Sequence, residues 1–143
     1  MKIRDQLARV LILIVLFLNI QCAILFLWTP EVYIPGFELN GVPGRAMIQG
    51  MGILFLMWSV PYWMALIHPV RNKLSLFEAV IMQAIGVVGE SILFVQISNE
   101  HIVMRNSALR FIIFDAGGLV LLLIAAGFVI AQYKKISQKP EPV

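Results

Sequence analysis

The chain has 143 residues, 60% of them hydrophobic and 13% charged, with a formal net charge of +3. A soluble domain needs a polar surface over its core, and charges this sparse, gathered between long apolar runs, exclude one. They also exclude a nucleic-acid reading of the basic balance, because the Lys and Arg residues flank apolar spans, where they set topology and meet anionic lipid.

Met1 to Arg9 is polar and basic, with Lys2, Arg4 and Arg9 against Asp5. Val10 to Trp28 is apolar apart from Asn19, Gln21 and Cys22. This run exceeds the roughly 7–15 apolar residues of a signal peptide and no A-x-A site follows it, so a retained helix is expected over about 8–28. A single cysteine excludes an intrachain disulfide and a CxxC pair, and Cys22 reads as an inert thiol inside that helix. Trp28 is an interfacial aromatic and Pro30 a stop.

Residues 29–44 hold Pro30, Pro35, Gly36, Gly41, Pro43 and Gly44, which predict an outer loop of turns. Val32–Ile34 and Phe37–Leu39 could pair as a small hairpin around Pro35–Gly36, lying on the membrane or over the mouth of the bundle. A second helix is expected over 45–67, kinked at Pro61, with Trp58, Tyr62 and Trp63 as an aromatic belt. His68 to Lys73 is a tight basic loop. Ser75 and Glu78 match a capping box opening a third helix, which runs over about 76–97. After a polar loop, a fourth helix covers 108–133, and 134–143 is a basic tail with Lys134, Lys135 and Lys139.

The fold class that follows is all-α: a polytopic membrane protein, one domain over 1–143, built as an antiparallel four-transmembrane-helix bundle. Eight Lys and Arg residues fall on the side of the termini and the 68–74 loop, against Arg45, Arg105 and Arg110 on the other. The positive-inside rule then puts both termini in the cytoplasm. A bacterial inner membrane is the expected location.

Glu90 and Asp115 are the costly residues. Each lies in an apolar helix, where an ionisable group costs about 2.5–3.5 kcal/mol on insertion scales and usually faces the bundle interior. Each is seven residues from the expected outer end of its helix, so both should lie about 10 Å deep. Arg45 and Arg110 stand near outer helix ends. Gln83, Gly86 and Glu90 share one helical face; Arg45, Gln49, Gly52 and Ser59 share another; Asp115 and Gly118 share a third. Gly50, Gly52, Gly86, Gly89, Gly117 and Gly118 would allow close helix approach. The expectation is that Glu90 faces Arg45 or Arg110, with Asp115 completing the network. Two readings stay open: an internal salt bridge that fixes packing, and a polar pocket for a ligand, proton or headgroup. Asn19 and Cys22 share a face and could border the same interior, though such residues are more often ordinary interhelical contacts.

No HExxH, CxxC or Glu-x-x-His pattern suggests a metal, and no Ser–His–Asp geometry suggests a hydrolase. His68 and His101 are expected on opposite sides, which excludes a bis-His haem. No catalytic residue can be named.

Gly41-Val42-Pro43-Gly44-Arg45-Ala46 followed by Gly50-Met51-Gly52, then His68-Pro69-Val70-Arg71, Gly86-Val87-Val88-Gly89-Glu90 and Asp115, resembles the pattern of small bacterial DoxX-like four-helix membrane proteins over residues 8–133. The resemblance implies a four-helix fold and a link to quinone-coupled redox chemistry. It departs at Glu90, where such relatives often carry a basic residue.

Three functions therefore compete. The first is an accessory membrane protein that binds a lipid or small molecule and is not an enzyme. The second is a DoxX-like redox subunit using a quinone, the one cofactor the sequence leaves open. The third is a small transporter acting as an oligomer. The expected partners are the lipid bilayer and either other membrane subunits or further copies of the chain.

Overall fold

The computed structural model describes residues 2–138. Lys139, counted above with the basic tail, lies outside them, as do residues 140–143. The first apolar run forms α1 (Lys2–Trp28), followed by a short α2 (Pro30–Tyr33) and a 3₁₀ turn (Ile34–Phe37). Three long helices complete the chain: α3 (Gly41–Ile67), α4 (Lys73–Gln96) and α5 (Ile102–Ser137). Helices α1, α3, α4 and α5 are each long and apolar enough to cross a membrane. The 36 residues of α5 give about 54 Å, well beyond a hydrocarbon core of about 30 Å. The chain is built as a small integral membrane protein.

The four long helices pack in a ring, with α1 against α3 and α5, and α4 against α5 and α3. The α3–α4 seam is the least extensive of the four. Short connections force consecutive long helices to run antiparallel. The start of α1, the end of α5 and the 68–72 loop therefore share one end, here the terminal end, and residues 29–40 and 97–101 share the other, the loop end.

Two apolar cores are stacked along the bundle. The terminal-end core includes Ile12, Leu16, Leu76, Leu122 and Val129; the loop-end core is Ala23, Phe26, Ile48 and Phe55. Between them lies a layer of buried polar residues, Asn19, Ser59, Gln83 and Asp115. Ser59 Oγ donates to the Phe55 carbonyl at 2.8 Å, one turn back on its own helix. The large apolar side chains on the outer faces, such as Phe17, Met57, Ile85 and Ile113, are exposed from the bundle, as lipid-facing residues should be.

Three local expectations are corrected. No hairpin forms between 29 and 44. Pro30 opens a helical turn instead, because its fixed φ suits the first position of a helix, and three residues per arm could not stabilise an isolated hairpin. The second spanning helix starts at Gly41, with Pro43 in its first turn, where a backbone N–H is not required. Ser75 and Glu78 make no capping box, since α4 begins at Lys73, two residues before Ser75. Asn72, at the N-cap, instead donates its side-chain amide to the Met64 carbonyl at 2.7 Å and ties α4 back to α3.

The loop end is closed by a clasp. Glu38, in a left-handed conformation with φ 55°, accepts a hydrogen bond from His101 Nδ1 at 2.5 Å. Ser107 Oγ donates to the Gly36 carbonyl at 2.6 Å. The His101 hydrogen bond, helped by the Met104 amide and the charge of the ring, holds the Glu38 carboxyl below its ordinary value against the opposing pull of desolvation. A depressed folded-state value gives a contribution that is full above the unfolded value and lost as pH falls through the lowered one. The hydrogen-exchange protection of residues 34–40, relative to the intrinsic rate at each pH, should therefore fall on acidification through the carboxylate range, and Glu38→Gln should remove that dependence. An unchanged pH profile in Glu38→Gln would mean the clasp does not hold the turn.

Candidate functional site

The polar layer is a hydrogen-bonded relay across three helices. Tyr62 of α3 donates its hydroxyl to Gln83 Oε1 of α4 at 2.5 Å. Gln83 Nε2 donates to Asp115 Oδ1 of α5 at 2.8 Å and to the Asp115 carbonyl at 3.2 Å. Asn19 of α1 joins Tyr62, Gln83 and Asp115 in bordering a cavity of about 210 Å³. In a bilayer such groups have no water to fall back on, which is why Tyr62, Gln83 and Asp115 bond to one another.

Glycines make the relay fit. A Cβ on Gly118 would stand 2.7 Å from Gln83 Nε2, and one on Gly86 would run into the Asp115 carboxylate. Gly52 serves the α1–α3 contact, where a Cβ would lie 3.0 Å from the Ala23 carbonyl. Gly50, Gly89 and Gly117, grouped with these by sequence, face open space and support no close approach.

Glu90 stands apart from the relay. It lies one turn beyond Gly86 on α4, so it is offset from Asp115 by about 6 Å along the helix instead of matching its depth. It forms part of the wall of a second cavity, also about 210 Å³, lined by Met51, Leu54, Phe55, Trp58, Leu93 and Phe111 among others. Phe55 and Trp58 border both cavities, so the two adjoin along the α3–α4 seam. Glu90 Oε2 is fully enclosed and has no hydrogen-bond partner in the protein. A carboxyl in either protonation state has bonding capacity that this wall of apolar side chains does not meet.

The four-charge cluster expected from the sequence does not form. Arg45 pairs with Glu31 at the loop end, where both side chains are more than half exposed. Arg110 is exposed and borders a separate cavity between α1, the 30–37 segment and α5. Arg105 donates to the carbonyls of Phe94 at 3.1 Å and Ile97 at 2.7 Å, closing the end of α4. The physical reason is desolvation: drawing a guanidinium down to Glu90 costs several kcal/mol per ion, at roughly the scale known for buried pairs, while solvated partners lie close by. Gln49 is also elsewhere, donating to the Leu27 carbonyl at 3.2 Å and capping α1. Of the six sequence candidates, Gln83 and Asp115 are joined, Glu90 borders the adjoining cavity, and Arg45, Arg110 and Gln49 are outside.

Comparison with family models, curated proteins and solved structures returns no match for this chain.

Tyr62 was missed as a site residue, and Asn19 was named only as a residue that could border the interior. Tyr62 reads from the sequence as a belt aromatic, yet it is only 2% exposed. Its spacing from Phe55 and Ser59 places it on the inner face, a periodicity the belt reading overlooked. Asn19, 4% exposed, lies at the level of the relay. Cys22 is half-buried and borders the cavity beside Arg110, not the relay. Among the described residues no group of three His, Cys, Asp or Glu could hold a metal ion.

Proposed function

We propose that this integral membrane protein is a binding protein for an amphiphilic small molecule, held in the α3–α4 seam by the Glu90 carboxyl. The observation that carries this reading is the enclosed, partnerless Glu90 oxygen on the wall of an otherwise apolar cavity. Such a combination, an apolar lining with one placed polar group, is the usual chemistry of small-molecule sites. The seam is the least packed in the ring, and α4 contributes only Leu76, Ala79 and Gln83 to the buried set. A ligand could therefore enter sideways from the bilayer. Its apolar body would lie among Met51, Trp58 and Phe111, and its head would exchange a hydrogen bond with Glu90. A quinone belongs to this class: a carboxyl O–H can donate to its carbonyl, and a carboxylate can accept from a quinol hydroxyl. The DoxX-like resemblance makes it the first ligand to try. The test is photolabelling with a diazirine-tailed quinone in membranes. Label should fall on Met51–Trp58 and Leu93–Ile97 peptides, and Leu54→Trp, which fills the cavity, should abolish it. Labelling spread evenly over lipid-facing helices, or unchanged in Leu54→Trp, would contradict the reading.

We also infer that the terminal end is cytoplasmic and that the membrane is a bacterial inner membrane. Arg4, Arg9, Arg71, Lys73, Lys134 and Lys135 lie at that end, against Arg45, Arg105 and Arg110 at the other. This asymmetry is the positive-inside signal. In a Cys22→Ser background, an impermeant maleimide should label Asn99→Cys in intact cells and Asn72→Cys only after lysis. The reverse pattern would invert the topology.

A further inference from the structure

A larger cleft opens at the terminal end, sharing no lining residue with the seam cavities. It measures about 690 Å³ and draws its walls from α1, the α3–α4 loop, the start of α4 and the end of α5. Three cations face it, Arg9, Arg71 and Lys73, against one carboxylate, Asp5. The surplus is two positive charges, before any contribution from His68, which also faces the cleft.

The cations are positioned, not merely gathered. Arg9 Nε donates to Asp5 at 3.0 Å, and one of its terminal nitrogens lies 3.5 Å from His68 Nδ1. Lys73 Nζ stands 3.3 Å from the centroid of the Tyr133 ring, which fixes the ammonium over the end of α5. Arg71 forms no ion pair among the described residues. A separate observation adds a polar requirement. Gln132 Oε1 is enclosed at the cleft wall and accepts no hydrogen bond.

We propose that this cleft binds a hydroxyl-bearing phosphodiester, with its phosphate on Arg71 and Lys73 and a head hydroxyl on Gln132. Arg and Lys give the phosphate charge-assisted hydrogen bonds. A hydroxyl suits Gln132 in either amide orientation, because it both donates and accepts. The cleft lies where spanning helices end, with Val70 and Ile136 in its wall, so apolar chain and headgroup chemistry meet there. A glycerophospholipid headgroup and a free glycerol phosphoester share this chemistry.

Native mass spectrometry of the full chain in mild detergent can separate the sources. Phosphatidylglycerol, phosphatidylethanol (the same charge without the hydroxyls) and phosphatidylcholine are added in turn. One phosphatidylglycerol per chain should be retained about tenfold more tightly than phosphatidylcholine, with phosphatidylethanol between them. The Arg71→Gln/Lys73→Gln chain should lose that preference. Gln132→Leu should erase only the margin between phosphatidylglycerol and phosphatidylethanol. Arg45→Gln/Arg110→Gln, altered at the opposite end, should bind as the unaltered chain does. Displacement of the lipid by glycerophosphoglycerol, the deacylated phosphodiester, would assign the site to a soluble phosphodiester; lack of displacement would assign it to the lipid. Equal retention of phosphatidylglycerol and phosphatidylcholine by the unaltered chain would overturn the proposal. So would an Arg71→Gln/Lys73→Gln chain that keeps the preference. Should that double variant fail to fold, the three-lipid ranking on the unaltered chain and on Gln132→Leu decides the question.

Discussion

Gly86→Ala should destabilise the folded bundle by about 2–3 kcal/mol, while Gly89→Ala, three residues further along the same helix, should be neutral or stabilising by up to about 1 kcal/mol. The contrast follows from what each new methyl would meet. At Gly86 it would run into the Asp115 carboxylate; at Gly89 nothing lies within 4 Å. The carboxylate cannot withdraw cheaply, because one of its oxygens accepts from Gln83 at 2.8 Å. Either the α4–α5 spacing widens or that bond breaks. Gly89→Ala carries only the helix-propensity gain of alanine over glycine. Unfolding in mixed detergent and SDS micelles, followed by tryptophan fluorescence, gives both values. Equal midpoints for the two variants would show that Gly86 does not lie against Asp115.

Gln83→Leu should cost about 2–4 kcal/mol, more than any other single change in the relay. Gln83 bonds to two other helices, accepting from Tyr62 and donating twice to Asp115. Leucine fills similar space but strands the Tyr62 hydroxyl and the Asp115 carboxylate, each at about 1–3 kcal/mol for a buried group left without a partner. Interhelical hydrogen bonds in membranes average only about 0.6 kcal/mol, which sets the lower part of the range. Tyr62→Phe removes a single bond and should cost about 1 kcal/mol. If the relay is one unit, Gln83→Leu/Tyr62→Phe should cost less than the two single changes added together. A Gln83→Leu chain within about 0.5 kcal/mol of the original would remove the relay as a structural element.

The all-helical, membrane-spanning architecture was legible because it rests on composition over some 20-residue stretches, and a bilayer permits few alternatives. Helical spacing likewise put Gln83 with Gly86, and Asp115 with Gly118, and these four meet in the structure. What spacing could not supply was the partner of each charge. Arg45 and Glu31 are fourteen positions apart in sequence and meet only because residues 30–37 fold into helical turns where a hairpin was expected. Once those turns form, the loop-end charge finds a solvated partner and Glu90 loses its expected guanidinium. Tyr62 was misplaced for a related reason. An aromatic near a helix end satisfies the belt rule and the core rule equally until the neighbouring helix is known. Glu90 was legible as an anomaly, but its isolation from Asp115's hydrogen bonds depended on the exact seat of α4 against α5.

The proposal that Glu90 holds an amphiphile in the α3–α4 seam can be tested by mass spectrometry of the chain purified from native membrane in mild detergent. The original chain should carry a lipophilic molecule with a hydrogen-bonding head, near one per chain. Glu90→Leu, which replaces the partnerless carboxyl by an apolar group among apolar neighbours, should fold with equal or greater stability and carry none. A Glu90→Leu chain that retains the same molecule at the same stoichiometry, or an original chain that carries none, would mean that Glu90 does not hold a ligand in the seam.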